Sequence, residues 1–166
     1  MEIKKTIIDK GRKLHLTYRD IDSEADFKDL KISGCRACCF YGDKFVMVFS
    51  PKKGFWTSPG GAVEAGESAL EAVARETKEE SNMKVLEQRF ISLLKVEFPN
   101  ETVFYTTSVC IVEPYGDFVS DPDNDITEIK MIDPKEYKDY TDKNLGEIMD
   151  RIIERMFEVR AKMSLH

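Results

Sequence analysis

Histidine is scarce in this chain: only His15 and His166 occur among 166 residues. That scarcity bears on the cysteines. Cys35 and Cys38 form a C-x-x-C, with Cys39 adjacent and Cys110 far away. A structural zinc site would require a second such pair, or histidines at ligand spacing. Neither is present. GCRACCF (34–40) reads as a strand, in which residues three apart point to opposite faces, so buried free thiols are expected rather than a metal or redox centre. His15, flanked by Leu14 and Leu16, is expected on the solvent side of a strand.

Long apolar runs are also missing. Nothing approaches the roughly 18 residues of a membrane span, and MEIKKTIIDKG lacks the apolar centre of a secretory signal, so a cytoplasmic location is expected. Nor is there an excess of cations: 25 Lys and Arg stand against 31 Asp and Glu, for a net charge of -6. A general nucleic-acid surface needs clustered Lys and Arg, so nucleic acid is an unexpected partner. Acidic chains still bind phosphates through metal ions. No repeat, low-complexity tract or Pro/Gly-rich linker divides the chain, and its length suffices to bury about 70% of its unfolded surface. One domain over 1–166 is expected.

Residues 13–19, 34–41 and 44–49 are rich in β-formers, with YGDK (41–44) as a hairpin turn between the last two. They predict an opening strand meander. Two longer strands are expected at 85–98 and 102–113, joined by a turn at PNE (99–101), then an acidic loop (115–125) and a short strand at 127–132. A last helix is expected from about Asp142 to Met163, with Leu145, Ile148, Met149, Ile152, Met156, Val159 and Met163 at helical spacing. Core packing is the simplest use of that stripe, and a dimer contact the other; monomer and homodimer both stay open. Strands on both sides of a central helix, with a second helix at the end, predict an α/β fold: a mixed sheet between helices.

The central helix is sharply bounded. Ser68 and Glu71 match the capping box, placing the first helical residue at Ala69, and Asn82 suits the left-handed closing position. Residues 69–81 then form about 20 Å of helix. At about 100° per residue, Leu70, Val73, Ala74 and Thr77 form an apolar stripe, with Glu76, Glu79 and Glu80 within an arc of about 100° beside it. Those carboxylates sit near the negative end of the helix dipole, where each costs about 0.3–1 kcal/mol. A solvated helix face with ordinary i,i+4 pairs, Glu71 with Arg75 and Arg75 with Glu79, is one explanation. Coordination of a hard divalent cation such as magnesium is the other.

Gly61, Glu67, Arg75, Glu76, Glu79 and Glu80 read G-x5-E-x7-R-E-x-x-E-E, and this resembles the Nudix box of the Nudix hydrolase family. Thr77 departs from the family's usual aliphatic residue, and Asn82 from its glycine. FWTSPGG (55–61) and DITEIKMIDPKEY (125–137) extend the likeness, which covers roughly 34–138. The resemblance implies an α/β/α sandwich and hydrolysis of a pyrophosphate linkage in a nucleoside diphosphate derivative, with Mg2+, or Mn2+ in its place. It implies metal binding by Glu76, Glu79 and Glu80, with the Gly61 carbonyl as a further ligand. Glu76 or Glu80 would accept the proton of the attacking water, Arg75 would orient a box glutamate, and Glu67, about 14 Å of axial rise from Glu76, would support the box.

Around the box, Asp121, Asp123 and Asp125 reproduce the first positions of an EF-hand loop, but Ile126 and Ile132 occupy the glycine and bidentate-glutamate positions. The loop is therefore read as a solvated turn or as the source of one further metal carboxylate, with Glu128 the choice. Arg36, Lys52 and Lys53 are candidate phosphate contacts; Phe55, Trp56 and Tyr105 are candidate base-stacking residues, though strand aromatics are more often core. Pro99 falls near where ADP-ribose-cleaving relatives carry a proline, yet it also reads as part of a hairpin turn. Oxidised nucleoside triphosphates, ADP-ribose, other nucleotide sugars, dinucleoside polyphosphates and capped RNA ends all stay open as substrates. Two other functions compete: a nucleotide-sensing module that binds without cleaving, and a structural helix scaffold with a charged face.

Overall fold

A computed structural model describes residues 1–164; of the two histidines, His166 lies outside the described residues. In chain order the elements are β1 (Glu2–Asp9), β2 (Arg12–Asp20), β3 (Gly34–Tyr41), β4 (Lys44–Ser50), β5 (Phe55–Thr57), β6 (Gly60–Ala62), α1 (Ala69–Ser81), β7 (Met83–Glu97), β8 (Thr102–Pro114), β9 (Glu128–Ile132) and α2 (Glu147–Arg160). The strands form one mixed sheet in the order β1-β2-β7-β8-β3-β4-β5, with β6 added to β3 and β9 to β4. Among the described residues, only β3 and β8 run parallel.

The expected opening meander is not formed. β2 pairs with β1 and β7, whereas β3 lies against β8, so the 41–44 hairpin belongs to another part of the sheet. The first strand, EIKKTIID, is missing from the expectation because it is charge-rich and half exposed along its length, as an edge strand can be. Local pattern marks strands well, but pairing is chosen by burial across the whole sheet.

Strand alternation divides the core. Cys35, Ala37 and Cys39 of β3, Val46 of β4, and Cys110 and Val112 of β8 pack beneath Ala72 and Val73 of α1. Cys38 and Phe40, Phe45 and Met47, and Val109 and Ile111 face the other way, onto Ile148, Ile152, Met156 and Val159 of α2. Cys35 and Cys38 thus point to opposite layers, and all four thiols are free and buried. Burial in apolar surroundings pushes the Cys35 thiol up to about 11 and Cys38 to about 12, which leaves both protonated and unreactive. His15 is exposed, as expected.

The last helix is shorter than its periodicity suggests. Gly146, with φ +50°, separates a short turn at Lys143–Leu145 from α2, which ends at Arg160. Leu145 and Met163 still join the core from outside the helix. Arg151 anchors α2 to β2 through Asp20, with Nη2 to Oδ2 at 2.6 Å, while Arg155 reaches the Ile21 carbonyl at 3.3 Å. Among the described residues, no helix is long and apolar enough to cross a membrane.

Candidate active site

Helix α1 begins and ends where its caps dictate. Ser68 Oγ accepts from the Glu71 amide at 3.1 Å, the Glu71 carboxylate accepts from the Ser68 amide at 2.8 Å, and Asn82 closes the helix at φ 53°, ψ 39°. The Asn82 side chain also donates to the Asp117 carbonyl at 3.1 Å, tying the helix end to the acidic loop. Its apolar face differs from the expected stripe: Ala69, Ala72, Val73, Thr77 and Ser81 are buried, whereas Ala74 is exposed. Glu76 and Glu80 follow Ala72 at i+4 and i+8, so they lie within the sheet-facing surface rather than beside it.

Two glycines allow this close approach. A Cβ on Gly60 would overlap the Cys35 carbonyl oxygen, and one on Gly61 would overlap the Glu76 carboxylate. With no side chains there, β6 fits between β3 and the helix, and the Gly60 amide donates to Glu80 Oε2 at 3.1 Å. Burial raises the Glu80 pKa to about 7; the Gly60 amide opposes this, while the charges of Glu76 and Asp121 add to it. Burial also raises Glu76, against the pull of the Arg75 guanidinium.

Arg75 holds the box together. Its Nε donates to Glu67 Oε2 at 3.0 Å, Nη1 to Glu76 Oε1 at 3.0 Å and Glu79 Oε2 at 3.2 Å, and Nη2 to the Ala62 carbonyl at 2.9 Å. The planar guanidinium can serve these divergent acceptors at once; a lysine ammonium could not.

These groups open onto a cleft of about 790 Å³. Its lining carries the acids Glu76, Glu79, Glu80, Asp121, Asp123 and Asp125 together with Lys10, Arg36, Lys52, Lys53, Phe55 and Thr57. Glu79, Asp121 and Asp123 each offer a carboxylate oxygen, all within 4.8 Å of one another. Asp121 is buried and accepts backbone amides from Asp123, Asp125 and Ile126 at 3.1–3.3 Å, which folds the acidic loop around it. An all-oxygen set, part buried, suits a hard divalent ion.

The cleft gathers most of the singled-out residues but not all. Glu128 is exposed on β9 and outside the cleft lining; Asp121 and Asp123 bring the loop's carboxylates there instead. The D-x-D-x-D spacing was the available sign, since an aspartate commonly accepts the amide two residues on. Arg36 Nη1 is anchored by Thr57 Oγ1 at 2.6 Å and the Ser58 carbonyl at 3.1 Å. Phe55 is 53% exposed in the cleft, but Trp56 faces away, packed on Phe49 with Lys130 Nζ 4.2 Å from its ring centre. Tyr105 sits against Gly34, outside the cleft lining. Pro99 belongs to the β7–β8 turn, where the Phe98 amide bonds the Glu101 carbonyl at 2.8 Å. Lys10 escaped sequence reasoning, because nothing local relates the β1–β2 turn to this cleft.

A mixed sheet between helices, with a carboxylate box on the helix that follows β6, is a Nudix-type α/β fold. The NUDIX domain model matches residues 35–156, and the chain belongs to that family of hydrolases. It is 39% identical over 44 residues to an uncharacterized Nudix hydrolase, YvcI, of Bacillus subtilis; that match covers 26% of this chain and 28% of the relative. The fold is similar to that of the B. subtilis pyrophosphohydrolase BsRppH, with TM-score 0.62 and 18% identity over 90% of this chain and 96% of the other. It is also similar to a C. elegans Ap4A hydrolase, with TM-score 0.56 and 16% identity over 80% and 100% of the two chains.

Proposed function

We propose that the protein is a divalent-metal-dependent pyrophosphohydrolase acting on a nucleoside diphosphate derivative. The observation that carries this reading is the meeting of Glu79, Asp121 and Asp123 oxygens in a cleft whose lining also holds Glu76, Glu80 and the cations Lys10, Arg36, Lys52 and Lys53. Cations gathered in one cleft with carboxylates have little use in a scaffold helix, but they match a phosphate chain. The names of its structural neighbours, a pyrophosphohydrolase and an Ap4A hydrolase, point to the same linkage.

Glu76, Glu79 and Glu80, with the Gly61 carbonyl, would hold Mg2+ or Mn2+ on the helix side, and Glu79, Asp121 and Asp123 on the loop side. The ion, when bound, neutralises phosphate oxygens and lowers the pKa of water. Arg75 keeps Glu76 and Glu79 from drifting apart and uses Glu67 as its own anchor. Glu76 or Glu80 accepts the proton of the attacking water, since both are half-buried in the cleft lining. Arg36, Lys52 and Lys53 hold the part of the phosphate chain turned away from the carboxylates, and Phe55 offers an exposed ring to a base. Four free thiols suit the reducing cytoplasm.

The test is turnover of a panel of nucleoside diphosphate derivatives with Mg2+, comparing the parent with Glu80→Gln. Turnover by the parent that collapses in the variant supports the enzyme. Tight binding with no turnover in either would replace it with the nucleotide-sensing module; neither binding nor turnover would leave a structural scaffold.

A further inference from the structure

The β1–β2 hairpin turns on only two residues, Lys10 and Gly11, between the paired Asp9 and Arg12. Both have positive φ, 48° and 76°. A two-residue turn of this kind favours Asn-Gly or Asp-Gly, because asparagine and aspartate tolerate the left-handed region better than a long side chain does. Lysine at its first position therefore runs against the local preference. Such departures concentrate where a side chain is needed for another purpose. Here the residue is part of the cleft: Lys10 lines it together with Arg36, Lys52 and Lys53, and the same lining holds the box carboxylates. The hairpin also lies ahead of the family match at 35–156, so this cation belongs to an element that the shared domain does not supply.

Charge bookkeeping on the cleft separates substrate classes. A diphosphate joining two sugars brings about two negative charges, and each additional phosphate brings roughly one more. The residues proposed to hold metal act on the linkage that is cut. Lys10 comes from a different sheet edge than Lys52 and Lys53, so it adds to the cleft a cation from outside the β4–β5 turn.

Resting on the proposed pyrophosphohydrolase reading, we propose that Lys10 is a specificity-determining residue that binds a phosphate beyond the two flanking the scissile linkage, favouring substrates with three or more phosphates over those with two. Lys10 acts as a point charge at the cleft mouth and takes no part in bond breaking.

The test measures binding as well as turnover. A methylene-bridged nucleoside triphosphate analogue and ADP-ribose are titrated with Mg2+ into the parent, Lys10→Asn and Lys10→Arg, with Tm recorded for each. Expected for Lys10→Asn is about tenfold weaker binding of the triphosphate analogue, a change of less than about twofold for ADP-ribose, and an equal or higher Tm, since asparagine suits the turn. Lys10→Arg should keep most of the discrimination. Equal losses for both ligands, no loss for either, or a parent that binds neither would overturn the role of Lys10. Failure of the underlying reading is seen separately, as turnover that Glu80→Gln leaves intact.

Discussion

Arg75 Nε lies 3.0 Å from Glu67 Oε2, although Glu67 precedes α1 and stands eight positions earlier in the chain. Along a straight helix the two would be well separated; the loop entering α1 folds back to bring them together. The same guanidinium then reaches Glu76 and Glu79. Glu67 therefore acts on the box through Arg75, as an anchor for the residue that spaces the carboxylates.

Replacing Arg75 with lysine keeps the charge but loses the fork. One ammonium cannot serve Glu67, Glu76, Glu79 and the Ala62 carbonyl together. Arg75→Lys is expected to lower kcat by about a hundredfold and to raise the Mg2+ concentration for half-maximal rate. Steady-state kinetics across a magnesium series checks this; an unchanged magnesium dependence would refute the spacing role.

Gly61→Ala places a methyl group against the Glu76 carboxylate. The helix can persist, because its caps and apolar contacts lie elsewhere, but Glu76 has to move. The expected result is normal helical circular dichroism with kcat reduced by about a hundredfold. Near-parental turnover would show that Glu76 need not hold the position seen here.

Glu80 ionises at about 7 in the fold, against 4.5 for a free glutamate, chiefly because burial penalises its charge. Between those values the folded chain retains a proton that the unfolded chain has released, so stability from this group falls as pH rises through about 7. Glu76 shifts in the same direction. With a chelator present, Tm is expected to be higher at about pH 5.5 than at about pH 8, and Glu80→Gln should flatten that slope. A metal-free Tm that rises over this interval, in parent and variant alike, would contradict the assignment.

Thr77, fully buried, has its hydroxyl 3.8 Å from Cys39 Sγ, a weak partner. Valine fills similar volume without a hydroxyl to desolvate. Thr77→Val is expected to stabilise the protein by about 0.5–1 kcal/mol in urea unfolding, with kcat unchanged. A clear loss of stability would mean that the hydroxyl has a stronger partner than sulfur.

Legibility followed the range of the forces involved. The helix limits were readable because capping is settled within four residues: Ser68, Glu71 and Asn82 do in the structure what their spacing predicts. The opposed faces of Cys35 and Cys38 were readable for the same reason, since alternation along a strand is local. The stripe on α1 was only half readable. Periodicity gave its width, yet whether Ala74 or the neighbourhood of Glu76 faces the sheet depends on the glycines of β6, which let the helix settle onto that side.

Sequence by itself determined the carboxylate box, its helix, the alternating strands and the apolar stripe of α2, because each is set by residues a few positions apart. Only tertiary structure decided the parallel β3–β8 pairing, the arrival of Asp121 and Asp123 rather than Glu128 at the cleft, and the presence of Lys10 in its lining. Those choices depend on which distant segments share buried area, and a composition of 42% hydrophobic residues can satisfy that demand in many pairings until the whole sheet selects one.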